Sequence, residues 1–203
     1  MRKTEEEKSK ETVSDPLQAV LDALKTQAGE DGKRALPPVH LWNPEHCGDI
    51  GMEIRKDGSW WHDGGIIGRQ KIVRLFSTIL RKDDDGIYLV TPHEKVIVHV
   101  EDAPFIAVRI DRKMIEGEQN LVVTTNVGDI FVIDANHPLR VSMDAETGEP
   151  SPYVEVRHGL EAKVARAPFY ELVEWSEPLD DAANIIGVKS AGEIFELGSV
   201  KSE

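Results

Sequence analysis

The chain has 203 residues, 40% hydrophobic and 30% charged, enough for one large or two small domains with a real core and too apolar for wholesale disorder. Its 24 basic and 37 acidic residues give a net charge of -13, which argues against the non-specific phosphate attraction behind nucleic-acid binding. No run approaches the roughly 18 apolar residues of a membrane span, the first residues lack the apolar centre of a signal peptide, and the single cysteine, Cys47, excludes an internal disulfide. A cytoplasmic protein that binds neither membrane nor nucleic acid is therefore expected.

In chain order, the first dozen residues are rich in charge. Ser14-Asp15-Pro16 then caps a short helix whose Leu17, Val20, Leu21 and Leu24 recur at i, i+3, i+4, i+7. The polar stretch from Gln27 to Arg34 links this appendage, residues 1–35, to the body. The segment from Leu36 to Glu45 is extended by its prolines and anchored by Trp42, and the main fold begins there. Ile50 to Lys56 and Ser59 to His62 read as two strands around Asp57-Gly58. Ile72, Val73, Phe76, Ile79 and Leu80 lie on one face of a helix running from about Gly68 to Lys82, ended by the turn from Asp83 to Gly86. Tyr88 to Thr91 and Lys95 to Val100 form a second hairpin. Further strands are expected at Phe105 to Ile110, Leu121 to Thr125, Asp129 to Ile133 and Leu139 to Ser142.

The pattern then repeats. The run from Glu53 to Gly58 returns as Glu155 to Gly159, Arg69 with Leu75-Phe76 returns as Arg166 with Leu172-Val173, and the strands at 87–91 and 95–99 return at 186–190 and 193–197. Each unit reads hairpin, arginine-led helix, hairpin, the second helix covering Arg166 to Ser176. The expected architecture is α+β, with two domains related by internal duplication at 36–102 and 103–200, the second enlarged by strands. A cleft between two such domains is a favoured place for a small ligand. Charge is polarised as well. Residues 114–203 hold 6 basic and 17 acidic groups, whereas positions 55–82 hold seven basic residues against only Asp57 and Asp63. That basic stretch is either the solvated face of a helix or a collector of small anions.

Leu41-Trp42-Asn43-Pro44, the run from Arg55 to Trp60, Gly68-Arg69, Leu75-Phe76, Asp85 to Tyr88, Val90-Thr91-Pro92 and Val100 to Phe105 resemble the bacterial domain-of-unknown-function family DUF1285. So do Thr124 to Asp129, Pro152-Tyr153, Gly159 to Ala162, Phe169-Tyr170, Gly187-Val188 and Phe195 to Gly198. The resemblance runs from about Leu36 to Gly198, departing at Ile66, where a proline is expected. It implies a duplicated two-domain core with a β-rich second domain superficially like a pleckstrin-homology fold. It further implies a site at the domain interface for a nucleotide-like ligand and a role in signal transduction; together with the basic stretch, the expected ligand is small and anionic or nucleotide-like, with a possible protein partner in signalling.

Candidate contacts follow from these readings. Arg69 and Arg166 open the two helices, where the helix dipole disfavours a cation. Each is held either by a carboxylate such as Asp102 or Glu161 or by a bound anion. Arg55 and Arg157 occupy matching hairpin positions. Of Trp60 and Trp61, which face opposite sides of a strand, one belongs in the core, leaving Trp61 as the candidate to stack on a base. Thr91, Thr124 and Asn126 are candidate polar contacts, although Thr124 to Asp129 also fits a plain hairpin turn. The histidines are too dispersed for a metal site, no Gly-x-Ser-x-Gly or phosphate loop occurs, and no cofactor is expected. The competing functional readings are a hydrolase of a phosphorylated metabolite and an interaction module without a small ligand.

Overall fold

The computed structural model describes residues 36–180 and 184–199. The helix expected within residues 1–35 lies outside them. Among the described residues no helix is long and apolar enough to cross a membrane. The body is mostly β, built on two sheets of six strands.

After a single 3-10 turn at Val39–Leu41, the first sheet is formed by β1 (His46–Ile54), β2 (Trp60–His62), β3 (Gly65–Ile66), β4 (Leu80–Asp83), β5 (Gly86–Val90) and β6 (Lys95–Val100). Their order is β3-β2-β1-β6-β5-β4; β1 and β6 run parallel and the other neighbours antiparallel. Helix α1 (Gln70–Ser77) contributes Val73 and Phe76 to a core that also holds Met52, Ile54, Trp60, Val96 and Val98. The rings of Trp60 and Phe76 lie 6.2 Å apart.

The second sheet has the order β10-β11-β12-β7-β8-β9. Its members are β7 (Phe105–Ile115), β8 (Glu118–Thr125), β9 (Ile130–Val132), β10 (Leu139–Met143), β11 (Pro150–Arg157) and β12 (Leu160–Val164), with β12 parallel to β7. Strict alternation sets the inner face: Pro152, Val154 and Val156 of β11 and Leu160, Ala162 and Val164 of β12 are buried. His158-Gly159 turns the β11–β12 hairpin with φ of 47° and 76°, the doubly positive pair that a two-residue hairpin turn requires. Helix α2 (Arg166–Glu174) and a three-stranded sheet of β13 (Glu177–Pro178), β14 (Ile185–Ser190) and β15 (Glu193–Ser199) complete the fold. Buried Ser190 pins β14 to the second sheet, its hydroxyl accepting from Leu121 N (2.9 Å) and donating to Ile133 O (2.6 Å).

Hairpin, helix and three antiparallel strands thus occur in that order twice, as β1–β2, α1, β4–β6 and as β11–β12, α2, β13–β15, the first run with the added short strand β3 between hairpin and helix. Their pairings differ, because β6 returns alongside β1 while β13–β15 form a sheet of their own.

Several boundaries depart from expectation. α1 stops at Ser77 rather than Lys82, and Leu80–Asp83 is a strand paired with β5. The Ser77 and Thr78 hydroxyls donate back to the carbonyls of Arg74 and Leu75 (2.8 and 2.7 Å), and the Ile79 carbonyl accepts from Val90 N, carrying the chain into the sheet. Of the three aspartates expected to end a helix, Asp83 closes β4 opposite Gly86, and Asp84 and Asp85 make the β4–β5 turn. α2 ends at Glu174, and β7 runs on to Ile115 instead of stopping at Ile110.

Candidate functional site

The loop between β1 and β2 and the start of α1 meet the β8–β9 turn of the second half around a hollow of about 280 Å³. Asp57, Gly58, Ser59, Trp60, Ile67, Gly68, Gln70 and Val73 line it from one half, and Asn126 lines it from the other.

Asn126 ties the halves together. Its Oδ1 accepts from Ile106 N (3.0 Å), and its own backbone N–H donates to Ile106 O (2.8 Å). A backbone donor at Oδ1 fixes which end of the amide is oxygen, so Nδ2 turns to the first half, where it donates to Gly58 O at 3.4 Å. One long bond occupies one of two hydrogens, and the other has no acceptor among the described residues. Gly58 has φ of 79°, and a Cβ there would lie 2.7 Å from Asn126 Nδ2 and 2.8 Å from Ile106 Cγ1. Only glycine permits this approach.

α1 reaches the hollow with an uncapped end. Arg69 holds the N-cap position without a side-chain cap, and no acidic residue stands in the first turn. The N–H groups of Gln70 and Lys71 have no acceptor within the helix and carry the positive end of its dipole. Arg69, Lys71 and Arg74 add three cations with no ion pair among the described residues. Arg74 leans on the turn carrying Asn126: a Cβ on Gly128 would lie 4.0 Å from its Cζ. The site has one anion, Asp57, whose Oδ1 accepts from Ser59 Oγ (2.6 Å) and Ser59 N (2.9 Å). The Ser59 hydroxyl first, then its backbone N–H, hold this carboxyl below its ordinary value. Trp60, 1% exposed, closes the inner wall, and its Nε1 has no hydrogen-bond acceptor among the described residues.

The residues singled out from sequence are not brought to one place. Asn126 lines the hollow, and Arg69 lies between two residues that do. Arg55 and Trp61 form a pair that does not line it, the guanidinium 3.6 Å above the indole, with Glu53 3.7 Å from Arg55 Nε and Trp61 Nε1 donating to Ser59 Oγ (2.8 Å). Trp61, half-buried beside fully buried Trp60, stands on the other side of β2. The hydroxyl of buried Thr91 is taken up by its own turn, accepting from Glu94 N (3.0 Å). Thr124 is half-buried in β8 opposite Arg109. Arg157 is a clasp: 12% exposed, it donates to Asp129 Oδ2 (3.1 Å) and to the Ser77 carbonyl at the end of α1 (2.6 Å). Arg166 lines a separate hollow of about 400 Å³ with Lys163, Phe169 and Tyr170.

Neither carboxylate considered for the helix-opening arginines is theirs. Asp102 receives Tyr153 Oη and Lys163 Nζ, and Glu161 receives Arg140 through two bonds of 2.6 Å. The burial of Tyr153 first, then its bond to Asp102, push that phenol up. Of the histidines, His99 pairs with Asp49 (2.7 Å); no group of three or more potential metal-ligating side chains occurs among the described residues.

The sequence reading passed over Asp57, Ser59, Gln70 and Arg74 as contacts. For the first two a signal existed, since aspartate two residues before serine is the spacing of a side-chain-bonded turn. Arg74 belonged to the basic stretch at 55–82, but only the fold brings Gly128 against it.

Family models for the domain of unknown function DUF1285 match the chain at residues 37–103 for its N-terminal domain and 104–197 for its C-terminal domain. The crystal structure of a DUF1285 family protein from Silicibacter pomeroyi is 43% identical, covering 89% of this chain and 95% of that one with a TM-score of 0.77. A DUF1285 family protein from Shewanella baltica is 30% identical over 62% of this chain and 91% of that one, with a TM-score of 0.49. No protein of curated function matches.

Proposed function

The chain belongs to the DUF1285 family, whose two domains it carries in order, and from that premise we propose that it binds a small anionic or nucleotide-like ligand in the hollow between those domains and serves as a sensor in signal transduction. The observation that carries this reading is Asn126. A side chain of the C-terminal domain, locked in orientation by Ile106, offers an uncommitted N–H to a hollow otherwise built by the N-terminal domain. The open end of α1 adds N–H donors, and Arg69, Lys71 and Arg74 add charge, so the site favours a ligand rich in acceptors. A sensor needs its site coupled to a movable relation between domains. α1 supplies the link, with the hollow at one end and the Arg157 clasp at the other.

The reading includes an origin of the two domains by duplication, supported by the repeated order of hairpin, helix and three strands and opposed by their different pairing. It also includes a distant likeness of the C-terminal domain to the pleckstrin-homology fold, resting on its β-rich build, and a cytoplasmic location. The test is calorimetric titration of the wild type and Asn126→Asp with a panel of small anions and nucleotides. Asn126→Asp keeps the acceptor for Ile106 N–H and replaces the donor with a carboxylate oxygen. A bound ligand should lose roughly tenfold or more in affinity. A ligand that binds both proteins equally places the site elsewhere.

A further inference from the structure

An edge strand presents a row of unpaired N–H and C=O groups, and proteins keep such edges short or charged. Among the described residues, β3, β9 and β13 are edges of two or three residues, and the edge β4 carries Arg81, Lys82 and Asp83 in succession. The remaining edges, β10 and β15, are the longest, at five and seven residues, and both line one hollow of about 560 Å³. No strand among the described residues pairs with the outer side of either. The ladder of β10 fixes which of its groups are open. Glu155 N donates to Pro138 O and Asp144 N to Glu149 O, and bonded and unbonded positions alternate along an antiparallel pair. Arg140 and Ser142 therefore bond β11, while the N–H and C=O groups of Leu139, Val141 and Met143 point to the open side. These three line the hollow. Opposite Val154 and Pro152, Leu139 and Val141 keep their side chains on the inner face, which opens along the strand from buried Leu139 to Met143, 58% exposed. On β15 the two-residue turn Ala191-Gly192 makes Ser190 and Glu193 a bonded pair, so the backbone groups of Ile194 and Glu196 turn outward. A Cβ on Gly198, in the wall of the hollow, would meet nothing within 4 Å.

We propose that this open edge is a docking surface for a partner protein, an extended segment of which adds to β10 as a further strand and lies against β15. Geometry and charge give the chemistry of that segment. Successive residues of an added strand face opposite sides, so every second side chain enters the hollow over Val141 and Met143 and should be apolar, while the others stay in water. Those others should be basic. Arg140, the cation of the lining, is already taken by Glu161 in two bonds of 2.6 Å, whereas Glu196 in the lining, and Glu146 and Glu149 in the β10–β11 turn, form no ion pair among the described residues. The last ninety residues, with 6 basic and 17 acidic groups, extend the same field.

Fluorescence anisotropy of the full chain with a labelled eight-residue peptide alternating valine and lysine tests this, the valine–glutamate peptide of the same length serving as the charge control. The lysine peptide should bind, and the glutamate peptide at least about fivefold more weakly. Val141→Pro deletes an N–H directed at the open side and leaves the bonds of Arg140 and Ser142 to β11, a position where an edge strand accepts proline. It should weaken the lysine peptide by about tenfold or more while the circular-dichroism spectrum keeps its shape. A second arm uses the unaltered protein, so that misfolding of the variant cannot decide the matter: the lysine peptide is N-methylated at every valine or, separately, at every lysine. At least one of the two should lose about tenfold in affinity, because an added strand bonds its neighbour through alternate backbone groups. If both methylated peptides bind as well as their parent, the attraction is charge alone and the proposal falls. It falls equally if the lysine peptide does not bind, or if the glutamate peptide binds as tightly. Light scattering that shows a dimer of the full chain, dissociated by Val141→Pro, would assign this edge to a second copy and overturn the proposal as well.

Discussion

At the scale of single residues, Gly58 bears most directly on how the lining is held, and Asp83 on how the edge of the first sheet is. Gly58 is required twice over, by its positive φ and by the approach of Asn126 and Ile106. Gly58→Ala should therefore cost about 1–3 kcal/mol through displaced neighbours and strained backbone, measured as a lower midpoint in urea. An unchanged midpoint would show that the loop relaxes freely and that the lining is not fixed. Asp83 gives the second test. It receives Arg81 in two bonds of 2.7 and 2.8 Å and Lys95 at 2.7 Å, and Arg81 also donates to the carbonyls of Val39 and Trp42. The Arg81 bond is the largest influence holding the Asp83 carboxyl below its ordinary value of 3.8. A carboxyl depressed in the folded state stabilises fully above its unfolded value, and that stabilisation is lost as pH falls through the folded one. Stability should decline below about pH 4, and Asp83→Asn should flatten that decline in acid titrations followed by circular dichroism.

Among elements, α1 depends on the other domain for its end. Arg157 takes the Ser77 carbonyl while pairing with Asp129, so Arg157→Ala removes the cation from both, leaving Asp129 Oδ2 only the Thr125 hydroxyl at 3.4 Å, and should cost about 2 kcal/mol in equilibrium unfolding. A loss within error would mean that water replaces the clasp. Ser190→Ala strips Leu121 N–H and Ile133 C=O of a buried partner and should cost about 1–3 kcal/mol. Strands were the legible elements, because alternation at Pro152, Val154 and Val156 or at Val96 and Val98 is set by burial alone. The end of α1 was not. Ile79 and Leu80 continue a helical apolar spacing and equally suit a strand, and the choice fell to hydroxyls at Ser77 and Thr78 and to pairing with β5. Strand order was hidden too: nothing local states that β12 lies along β7 while β6 lies along β1.

For the whole molecule, Asn126, which the sequence named, lines the hollow, and Arg69 stands between two of its lining residues. The sequence did not separate the four arginines, which the fold sends to different tasks: Arg55 onto Trp61, Arg69 to the helix start, Arg157 into the domain junction and Arg166 to a second hollow. Identical residue types at matching positions take different tasks because the two hairpin–helix stretches pair with different strands. The central claim is that ligand meets Asn126 and the open end of α1. Two-dimensional nitrogen–proton NMR during titration with the best-binding nucleotide tests it most directly. The account predicts that the Asn126 side-chain amide and the backbone N–H signals of Gly58, Gln70 and Lys71 move together and saturate at one stoichiometry, while those around Arg166 and Tyr170 stay in place. Shifts gathered around Arg166 and Tyr170, with Asn126 and Gln70 unmoved, would contradict it.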